Sequence, residues 1–427
     1  MSVDFDVIIV GAGLAGCTSA YLLAQAGLET LVIERGNFPG AKNMTGGRLY
    51  GHSLEKIFPN FAEEAPVERC IVHEKISFMD GEDSTTLEYA SPKSEDPADR
   101  SYSVLRSKFD QWLADKAESA GASIVPGIRV DDLIVRDGKV CGVVASGEEM
   151  EAHTVILADG VNSILAEKLG METKVSPHTG AVGVKEVIQL SKQQINDRFG
   201  CTDDDGAAWL FAGTPSNGHM GGGFIYTNED TLSLGLVFGL HNIDKTDKSV
   251  PQMLEDFKDH PTVKPLLEGG KLIEYSAHVV PEGGYDMIPK LVGDGVLVAG
   301  DAAGLCLNVG FTVRGMDLAI ASGEAAAKAV IAAKNNGDFS ESGLSSYKTE
   351  LENSFVMKDM KLYQKLPRFL DNPRMYNEYP NMVTGIMKDI FTINGTSVPL
   401  RKIITPHLKQ VGFMNLLKDG FKGAKAI

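Results

Sequence analysis

The chain has 427 residues, of which 43% are hydrophobic and 23% charged, and its formal net charge is −16. Single hydrophobic cores stop growing at ~250 to 300 residues, so the length predicts two or more lobes. The acidic balance argues against a basic surface that binds nucleic acid, and we expect no nucleic-acid partner.

The first predicted elements are a strand, a glycine-rich turn and a helix. The apolar strand Asp6–Val10 runs directly into the sequence Gly-Ala-Gly-Leu-Ala-Gly. In that turn Gly11 permits a tight bend, Gly13 lets the backbone reach a pyrophosphate, and Gly16 lets helix and strand pack closely. The helix that follows would present free N–H groups and a partial positive charge to the phosphates.

The second predicted strand ends on Glu34, whose carboxylate suits two ribose hydroxyls and would repel a 2′-phosphate. Strand, glycine triplet, helix and terminal acid together predict a dinucleotide site that prefers an unphosphorylated ribose. A long glycine-rich connection over residues 36–51 follows. Loops of that length in compact domains are usually functional.

The middle of the chain changes its hydrophobic pattern twice. A helix that contains Phe109 and strands over 140–145 and 154–158 continue the βα rhythm. From about residue 181 to 285 the residues alternate, which predicts hairpin strands and a separate antiparallel sheet. A buried strand over 296–299 and a long alanine-rich helix then return to the first pattern, so the nucleotide domain is predicted to be discontinuous.

A second segment points to FAD as the cofactor. FAD is longer than NAD, and its ribitol needs hydrogen-bond partners beyond the first glycine turn. Asp301 follows Gly300 at a strand end, where its carboxylate can accept bonds from ribitol hydroxyls. Gly310 and Phe311 precede the alanine-rich helix, whose N-terminus could stabilise negative charge on the reduced isoalloxazine ring.

Further residues fit the same cofactor. Arg106 begins a helix and suits a phosphate contact, with an ordinary surface arginine as the alternative. Asp159 and Gly160 follow a buried strand, with a simple helix cap as the alternative. The complete set of predicted cofactor-binding residues is Gly11, Gly13, Leu14, Ala15, Gly16, Glu34, Arg35, Arg48, Arg106, Val130, Asp159, Gly160, Gly300, Asp301, Gly310 and Phe311.

These patterns predict an α/β fold. A Rossmann-like FAD-binding domain of the glutathione-reductase type, discontinuous over residues 1–180 and 285–340, would carry an inserted antiparallel-sheet domain over 181–284. A helical C-terminal segment would occupy 341–427.

Several kinds of catalytic motif are missing from the sequence. The chain has no second glycine fingerprint for a nicotinamide cofactor, no phosphate loop of the GxxxxGK[ST] type and no CxxC pair. Its five cysteines and nine histidines are scattered without metal-ligand spacing, which predicts reduced thiols and no metal site. We therefore assign no acid–base catalyst and expect the flavin to carry the chemistry.

The C-terminal residues 401–427 differ in charge from the rest of the chain. Six basic residues against Asp419 give this stretch a charge of +5. Phenylalanine, methionine and leucine are interleaved with the lysines, as expected of a surface that docks on anionic lipid or on an acidic protein. The alternative is a terminal helix that packs on its own domain.

No apolar run reaches the ~20 residues of a membrane span, and no signal peptide precedes the first strand. The sequence therefore predicts a cytoplasmic protein, with peripheral binding to the cytoplasmic membrane as an extension of that prediction.

The chain resembles the electron transfer flavoprotein:quinone oxidoreductase family, most closely its bacterial FixC-like flavoproteins. The glycine turn, Asp159-Gly160 and Gly300-Asp301 are shared with the wider group of FAD enzymes that includes aromatic hydroxylases and geranylgeranyl reductases. The narrower resemblance rests on four stretches, namely 40–48, 221–226 with 235–237, His260-Pro261 with 267–271, and 281–284.

The resemblance implies that FAD takes electrons from a reduced, two-subunit electron transfer flavoprotein and passes them towards quinone at the membrane surface. Fused members of the family carry a four-cysteine ferredoxin-like segment, which these five scattered cysteines cannot form. A separate small ferredoxin-like iron–sulphur partner is therefore expected.

One alternative function is that of an FAD-dependent reductase or monooxygenase of a small or lipid substrate, of the geranylgeranyl reductase or aromatic hydroxylase type. The other is a non-catalytic FAD-binding scaffold subunit.

Overall fold

The computed structural model describes residues 3–42, 46–172 and 175–427. Asn43, Met44 and Thr45, which belong to the predicted stretch 40–48, lie outside the described residues. The described residues form nineteen strands: β1 (Phe5–Val10), β2 (Thr30–Glu34), β3 (Gly47–Tyr50), β4 (Val67–Asp80), β5 (Asp83–Ala90), β6 (Ser101–Val104), β7 (Ser123–Pro126), β8 (Val130–Arg136), β9 (Lys139–Ala145), β10 (Glu148–Leu157), β11 (Gly180–Gln189), β12 (Asp205–Gly213), β13 (Gly221–Thr227), β14 (Thr231–Gly239), β15 (Lys271–Pro281), β16 (Val292–Gly293), β17 (Val296–Val298), β18 (Leu307–Asn308) and β19 (Val313–Arg314).

The same described residues form fifteen α-helices: α1 (Leu14–Gln25), α2 (His52–Glu55), α3 (Arg106–Ser119), α4 (Ile164–Lys168), α5 (Lys192–Phe199), α6 (Val250–Asp259), α7 (Lys264–Leu267), α8 (Met316–Asn336), α9 (Glu341–Leu344), α10 (Ser346–Asn353), α11 (Phe355–Leu362), α12 (Leu366–Leu370), α13 (Glu378–Phe391), α14 (Leu400–Val411) and α15 (Phe413–Ala426).

The first sheet builds the nucleotide lobe. Its strands follow the order β16-β17-β10-β1-β2-β7, with β8 and β9 continuing from β10. Strands β17, β10, β1, β2 and β7 run parallel to their neighbours in this order. Val7, Ile8 and Ile9 of β1 are fully buried, as expected of a parallel sheet covered on both faces. Helix α1 contacts both α3 and α8 beside it. Because β17 comes from residues 296–298, the predicted discontinuous Rossmann-like domain is confirmed.

The second sheet has nine strands in the order β15-β11-β14-β13-β12-β4-β6-β3, and β5 pairs with β4. The sequence predicts an antiparallel sheet confined to residues 181–284. The structure adds four strands from residues 47–104, and β12 pairs with β4 in parallel. Strands β3 and β6 have four residues each and β5 is mostly exposed. The hydrophobic pattern of these three strands is therefore weak, which explains why the sequence did not reveal β3, β5 and β6.

One buried arginine joins the two parts of the second sheet. Arg69 of β4 is 1% exposed. Its guanidinium donates hydrogen bonds to the side-chain oxygen of Asn196 and to four carbonyl oxygens, those of Thr202, Asp205, Asn228 and Glu229, at 2.7–3.1 Å. All five acceptors lie more than 120 residues away along the chain. The strands from residues 47–104 and 180–281 therefore form one lobe.

The C-terminal segment contacts both lobes. Tyr347, Leu351 and Val356 of α10 and α11 are fully buried in the core of the nucleotide lobe, while α13 packs on β4 and β5 of the second lobe. Helix α15 is tied down by Asp419, which accepts bonds from Arg374 at 2.6 Å and from the Tyr379 hydroxyl at 2.9 Å. The terminal helix thus packs on its own chain.

Among the helices of the described residues, none combines the length and apolar character needed to cross a membrane.

Candidate cofactor and redox site

A cavity of 640 Å³ lies between the two sheets and the C-terminal helices. That size is within the range of small-molecule and cofactor sites. Ten of the sixteen predicted cofactor residues line it, namely Gly13, Leu14, Ala15, Arg48, Arg106, Gly160, Gly300, Asp301, Gly310 and Phe311.

The glycine turn is shaped by close backbone packing. Gly11 has φ +102°, and a Cβ there would overlap the carbonyl oxygen of Ala158. A Cβ on Gly16 would overlap the carbonyl oxygen of Gly11. Both positions therefore require glycine, as the sequence predicts. They hold the N-terminus of α1 against β1 and β10, where its free N–H groups open into the cavity.

Glu34 closes the turn from the end of β2. Its carboxylate accepts hydrogen bonds from the backbone N–H of Ala12 at 2.9 Å and of Gly36 at 2.5 Å. The side chain is thereby fixed beside the glycine turn and keeps further lone pairs for ribose hydroxyls. It does not line the cavity itself.

Arg106 places a partly buried cation beside the glycine turn. Its guanidinium makes two hydrogen bonds to Asp110, at 2.6 and 2.8 Å, one helical turn along α3. One of its terminal nitrogens lies 4.0 Å from the position of a Cβ on Gly13. A fixed guanidinium beside the N-terminus of α1 suits an anionic pyrophosphate.

Of two acidic groups at the cofactor segments, Asp301 lines the cavity, and Asp159 lies between the lining residues Ala158 and Gly160. The Oδ1 atom of Asp159 is buried without a hydrogen-bond partner among the described residues, and burial raises the pKa of this carboxyl to about 6. Burial also raises the pKa of Asp301, although Arg106 and His278 act in the opposite direction. A buried carboxylate oxygen that lacks a partner, as at Asp159, and a second carboxylate in the cavity wall fit a ligand rich in hydroxyl groups, such as the ribose and ribitol of FAD.

Gly300 fixes the start of the second cofactor segment. Its N–H donates to the Ser322 hydroxyl at 2.9 Å, and its φ of +66° favours glycine. A Cβ at this position would lie 3.0 Å from the Cβ of Ala15. The segment that carries Asp301 is therefore packed against the start of α1, as one continuous binding surface requires.

The other predicted residues lie elsewhere in the nucleotide lobe. Arg35 is exposed, and its charge lowers the pKa of Asp159 against the effect of burial. Val130 is buried at the start of β8 in the lobe's core. Neither is among the residues that line the cavity, so their contacts with FAD stay predictions.

Arg48 lines the far end of the cavity, on β3 of the second sheet. It pairs with Glu74 at 2.8 Å, donates to the Ser101 hydroxyl at 2.9 Å, and stacks over the Tyr50 ring. Gly310 and Phe311 of the chain before α8 approach the same region. The predicted residues of the two segments thus meet across the cavity.

Sequence reasoning missed three titratable residues on the cavity face of the second sheet. Lys185 lies on β11, His278 on β15, and Glu282 directly after β15. Burial lowers the pKa of Lys185 to about 7 and raises that of Glu282 to about 7, opposed by a hydrogen bond from Asn308. Residues at every second position of a strand share a face, so the register of β15 could have grouped His278 with Glu282. Nothing in the sequence showed that this face meets the cofactor.

The fold also brings together His178, His241 and Asp371, a set that spacing along the chain does not suggest. His241 Nε2 lies 2.6 Å from Asp371 Oδ1, and the two imidazole rings stack with centroids 4.7 Å apart. Their ligand atoms all lie within 4.8 Å of one another. The three residues are not among those that line the cavity.

Comparison with known proteins agrees with the FAD fit. A family model described as an FAD binding domain matches residues 4–207. A solved geranylgeranyl bacteriochlorophyll reductase-like protein from Thermoplasma acidophilum superposes with a TM-score of 0.72 at 21% identity, over 97% of this chain and 99% of that one. The flavin-dependent brominase Bmp2 superposes with 0.63 at 16% identity, over 97% of each chain. The fold and site define an FAD-dependent oxidoreductase.

The relatives in sequence are more specific. Models described as "ETF-QO, ubiquinone-binding" and "ETF-QO/FixC family C-terminal domain" match residues 181–280 and 366–427. Protein FixC of Escherichia coli O157:H7 is 62% identical over all of both chains. A probable electron transfer flavoprotein-quinone oxidoreductase of Escherichia coli K12, YdiS, is 58% identical over 99% of both. The chain belongs to the ETF-QO/FixC family, which confirms the resemblance.

Proposed function

We propose that this FAD-dependent oxidoreductase accepts electrons from a reduced, two-subunit electron transfer flavoprotein and passes them to quinone. A small ferredoxin-like iron–sulphur protein is the proposed further partner. The observation that supports the proposal is the shared cavity: one wall carries the predicted FAD residues, and the other is the sheet matched by a ubiquinone-binding model. Donor and acceptor sites that share a cavity allow electrons to pass over a short distance.

The residues of the chain bind and orient the cofactor. The glycine turn and α1 would hold the pyrophosphate, Glu34 the adenosine ribose and Asp301 the ribitol. When bound, FAD supplies the redox chemistry, because it takes up two electrons and releases them to an acceptor. The N-terminus of α8, at Gly315 and Met316, also lines the cavity and favours negative charge there.

The second sheet offers an apolar face for a quinone ring. Phe211 and Phe224 line the cavity beside Gly221, Gly222 and Gly223, which carry no side chains. An aromatic wall next to glycines, which leave room in front of the sheet, can stack a flat ring. Reduction of a quinone to a quinol takes two electrons, which FAD would deliver, and two protons, which titratable groups on the same face can relay.

The terminal helices α14 and α15 offer a surface for the membrane from which quinone would come. Leu400, Phe413, Met414, Leu417 and Phe421 are more than half exposed. Arg401, Lys402, Lys409, Lys418, Lys422 and Lys425 are exposed between and beside them. Asp419, the acidic residue of this stretch, is already paired with Arg374. Exposed apolar and basic side chains together favour an anionic bilayer surface, here the cytoplasmic membrane.

The proposed reaction is tested by anaerobic titration. The FAD-loaded protein is mixed with reduced electron transfer flavoprotein, and its flavin absorbance is followed before and after a short-chain quinone is added. We expect bleaching by the donor and recovery with quinone. Absence of bleaching, or NADPH oxidation stimulated by a small substrate in its place, would contradict the proposal.

The membrane surface is tested by co-sedimentation with vesicles that contain anionic phospholipid. A variant with Phe413, Leu417 and Phe421 changed to Ser should lose most vesicle binding and keep its bound flavin. The control changes Leu87 and Tyr89, which are exposed on β5 of the second lobe, and should bind as the wild type does. Equal binding by both variants would remove this surface from the proposal.

A further inference from the structure

Lys185 is an ammonium group buried in the wall of the cavity without an acidic partner. The residue is 3% exposed. Its Nζ donates a hydrogen bond to the carbonyl oxygen of Gly46 and lies 5.6 Å from the centre of the Phe224 ring. Among the residues that the structure describes, no Asp or Glu carboxylate lies within 4.0 Å of Nζ. The seven remaining residues of the chain include no Asp or Glu.

The charged groups around Lys185 do not compensate its burial. Arg106 on α3 repels it, and Glu274 on β15 attracts it from beyond ion-pair distance. The neighbours across the sheet are Gly235 of β14 and Ser276 of β15, which carry no charge. Burial therefore dominates and lowers the pKa of Lys185 to about 7.

A group that destabilises the folded protein at the wall of a redox cavity suggests a role in function. Removing an unpaired charge from a protein interior usually increases stability, and proteins retain such groups where the site needs them. One of the three N–H donors is used by Gly46, and the side chain lines the cavity. The remaining donors suit an oxygen atom that carries negative charge.

We propose that Lys185 donates a hydrogen bond to a conjugated carbonyl oxygen of the redox group reduced in this cavity and so favours that group's electron-rich form. Both the isoalloxazine ring and a quinone carry such carbonyl oxygens, which gain electron density on reduction. The proposal rests on FAD binding, and for the quinone it rests also on the proposed function above. No covalent step is involved, since the lysine acts through its charge and its N–H group.

The charge of Lys185 gives the effect a pH dependence. The ammonium form predominates below the pKa of about 7 and is lost above it. The preference for the electron-rich form should therefore be strongest below neutral pH. In a variant without the amine, the difference from wild type should be large at pH 6 and small at pH 8.5.

The test uses FAD-loaded full-length protein with Lys185 changed to Met or to Arg. Lys271→Met is the matched control, because it removes one positive charge from an exposed position on the same sheet. In quinone-free protein, the midpoint potential of bound FAD gives the ratio of affinities for reduced and oxidised flavin. A second measurement gives kcat and KM for a short-chain quinone between pH 6 and 8.5.

Either of two results would support the proposal, and they distinguish a lysine that bonds to the flavin from one that bonds to the quinone. If Lys185 faces the flavin, Lys185→Met should lower the reduced-to-oxidised affinity ratio about tenfold at pH 6, while Lys185→Arg retains most of it. If it faces the quinone, the potential should stay unchanged and kcat for quinone reduction should fall about tenfold, with loss of the inflection near pH 7.

Thermal unfolding of the FAD-free variant provides a check that is independent of electron transfer. Lys185→Met should be at least as stable as wild type at pH 6, because it removes an unpaired buried charge. The proposal is overturned if the potential and the quinone kinetics of Lys185→Met both match those of Lys271→Met. A different outcome is that the protein binds FAD but is not reduced by electron transfer flavoprotein. That outcome would contradict the proposed function, while the midpoint potential of bound FAD would still test the role of Lys185.

Discussion

The two lobes present their cavity residues in different ways. In the nucleotide lobe they lie in short turns at the ends of parallel strands, such as Gly11–Gly16 after β1 and Gly300-Asp301 after β17. In the second lobe they project from the faces of long strands, as Lys185 does from β11. Turn residues are fixed by local backbone geometry, whereas face residues depend on which distant strands pair. The positions of the residues in one wall of the site are therefore set by nearby sequence, and those in the other wall are set by the pairing of the whole sheet.

The largest expected effect is in the second lobe, on Arg69. Arg69→Met should lower the free energy of unfolding by about 4 kcal/mol, because it leaves several buried carbonyl oxygens without their donor. Each lobe contains one of the two tryptophans, so urea unfolding in a Trp112→Phe background can be followed through Trp209. Trp209 is buried and donates to the Ser77 hydroxyl at 2.7 Å.

The control for Arg69 is Arg129→Met, since Arg129 is 77% exposed at its side chain and pairs only with Asp131 among the described residues. It should change the unfolding free energy by less than ~0.5 kcal/mol. A loss below ~1 kcal/mol in Arg69→Met would show that the second lobe does not depend on this long-range network.

A smaller loss is expected in the turn of the nucleotide lobe. Gly16 and Gly420 both lie inside helices. Gly16→Ala should cost about 2 kcal/mol and most of the bound FAD, because the new methyl group overlaps the Gly11 carbonyl. Gly420→Ala meets no atom within 4 Å and should stabilise the protein by up to ~1 kcal/mol. Flavin absorbance per chain and thermal unfolding measure both, and equal behaviour of the two variants would contradict the assigned role of the turn.

The smallest expected effect concerns Glu282, whose pKa is about 7 in the folded protein because of burial. Between the ordinary value of 4.5 and 7, the folded state binds more protons than the unfolded state, so this group makes stability fall as pH rises. Glu282→Gln should remove this dependence, which changes the stability difference from wild type by roughly 1 kcal/mol between pH 5 and 6. Urea unfolding at the two pH values measures it.

The matched control for Glu282 is Glu268→Gln at an exposed position. Its stability difference from wild type should stay constant across the same pH range. If Glu282→Gln behaved in the same way, the carboxyl would have to be charged in the folded protein at pH 5, against the effect of its burial.

The sequence predicted the nucleotide lobe well because its signals are local. The strand, the glycine spacing and the terminal acid lie within thirty-four residues, and each has a geometric cause that the structure shows at Gly11, Gly16 and Glu34. Ten of the predicted residues line the cavity. The family resemblance also identified the chain correctly, as the full-length identity of 62% to Protein FixC shows.

The second lobe could not be predicted to the same depth. The short strands β3 and β6 carry little periodicity, and the parallel pairing of β12 with β4 joins segments more than 120 residues apart. Lys185 lies among alternating residues of β11, where the sequence alone does not decide which face is buried. The sequence also treats packing on its own domain and docking on a partner as alternatives for the terminal segment. In the structure the two are compatible, because α15 is packed through Asp419 and still exposes Phe413, Leu417 and Phe421.

The order in which strands enter the two sheets has a consequence for biosynthesis. The chain alternates between the lobes, with β1 and β2 in the first, β3–β6 in the second, β7–β10 in the first, β11–β15 in the second, and β16 and β17 in the first again. Neither sheet can be completed while most of the other is still to be made. A nascent chain therefore exposes unpaired strand edges until late in translation. We expect slow, concerted maturation, with cofactor capture as a late event.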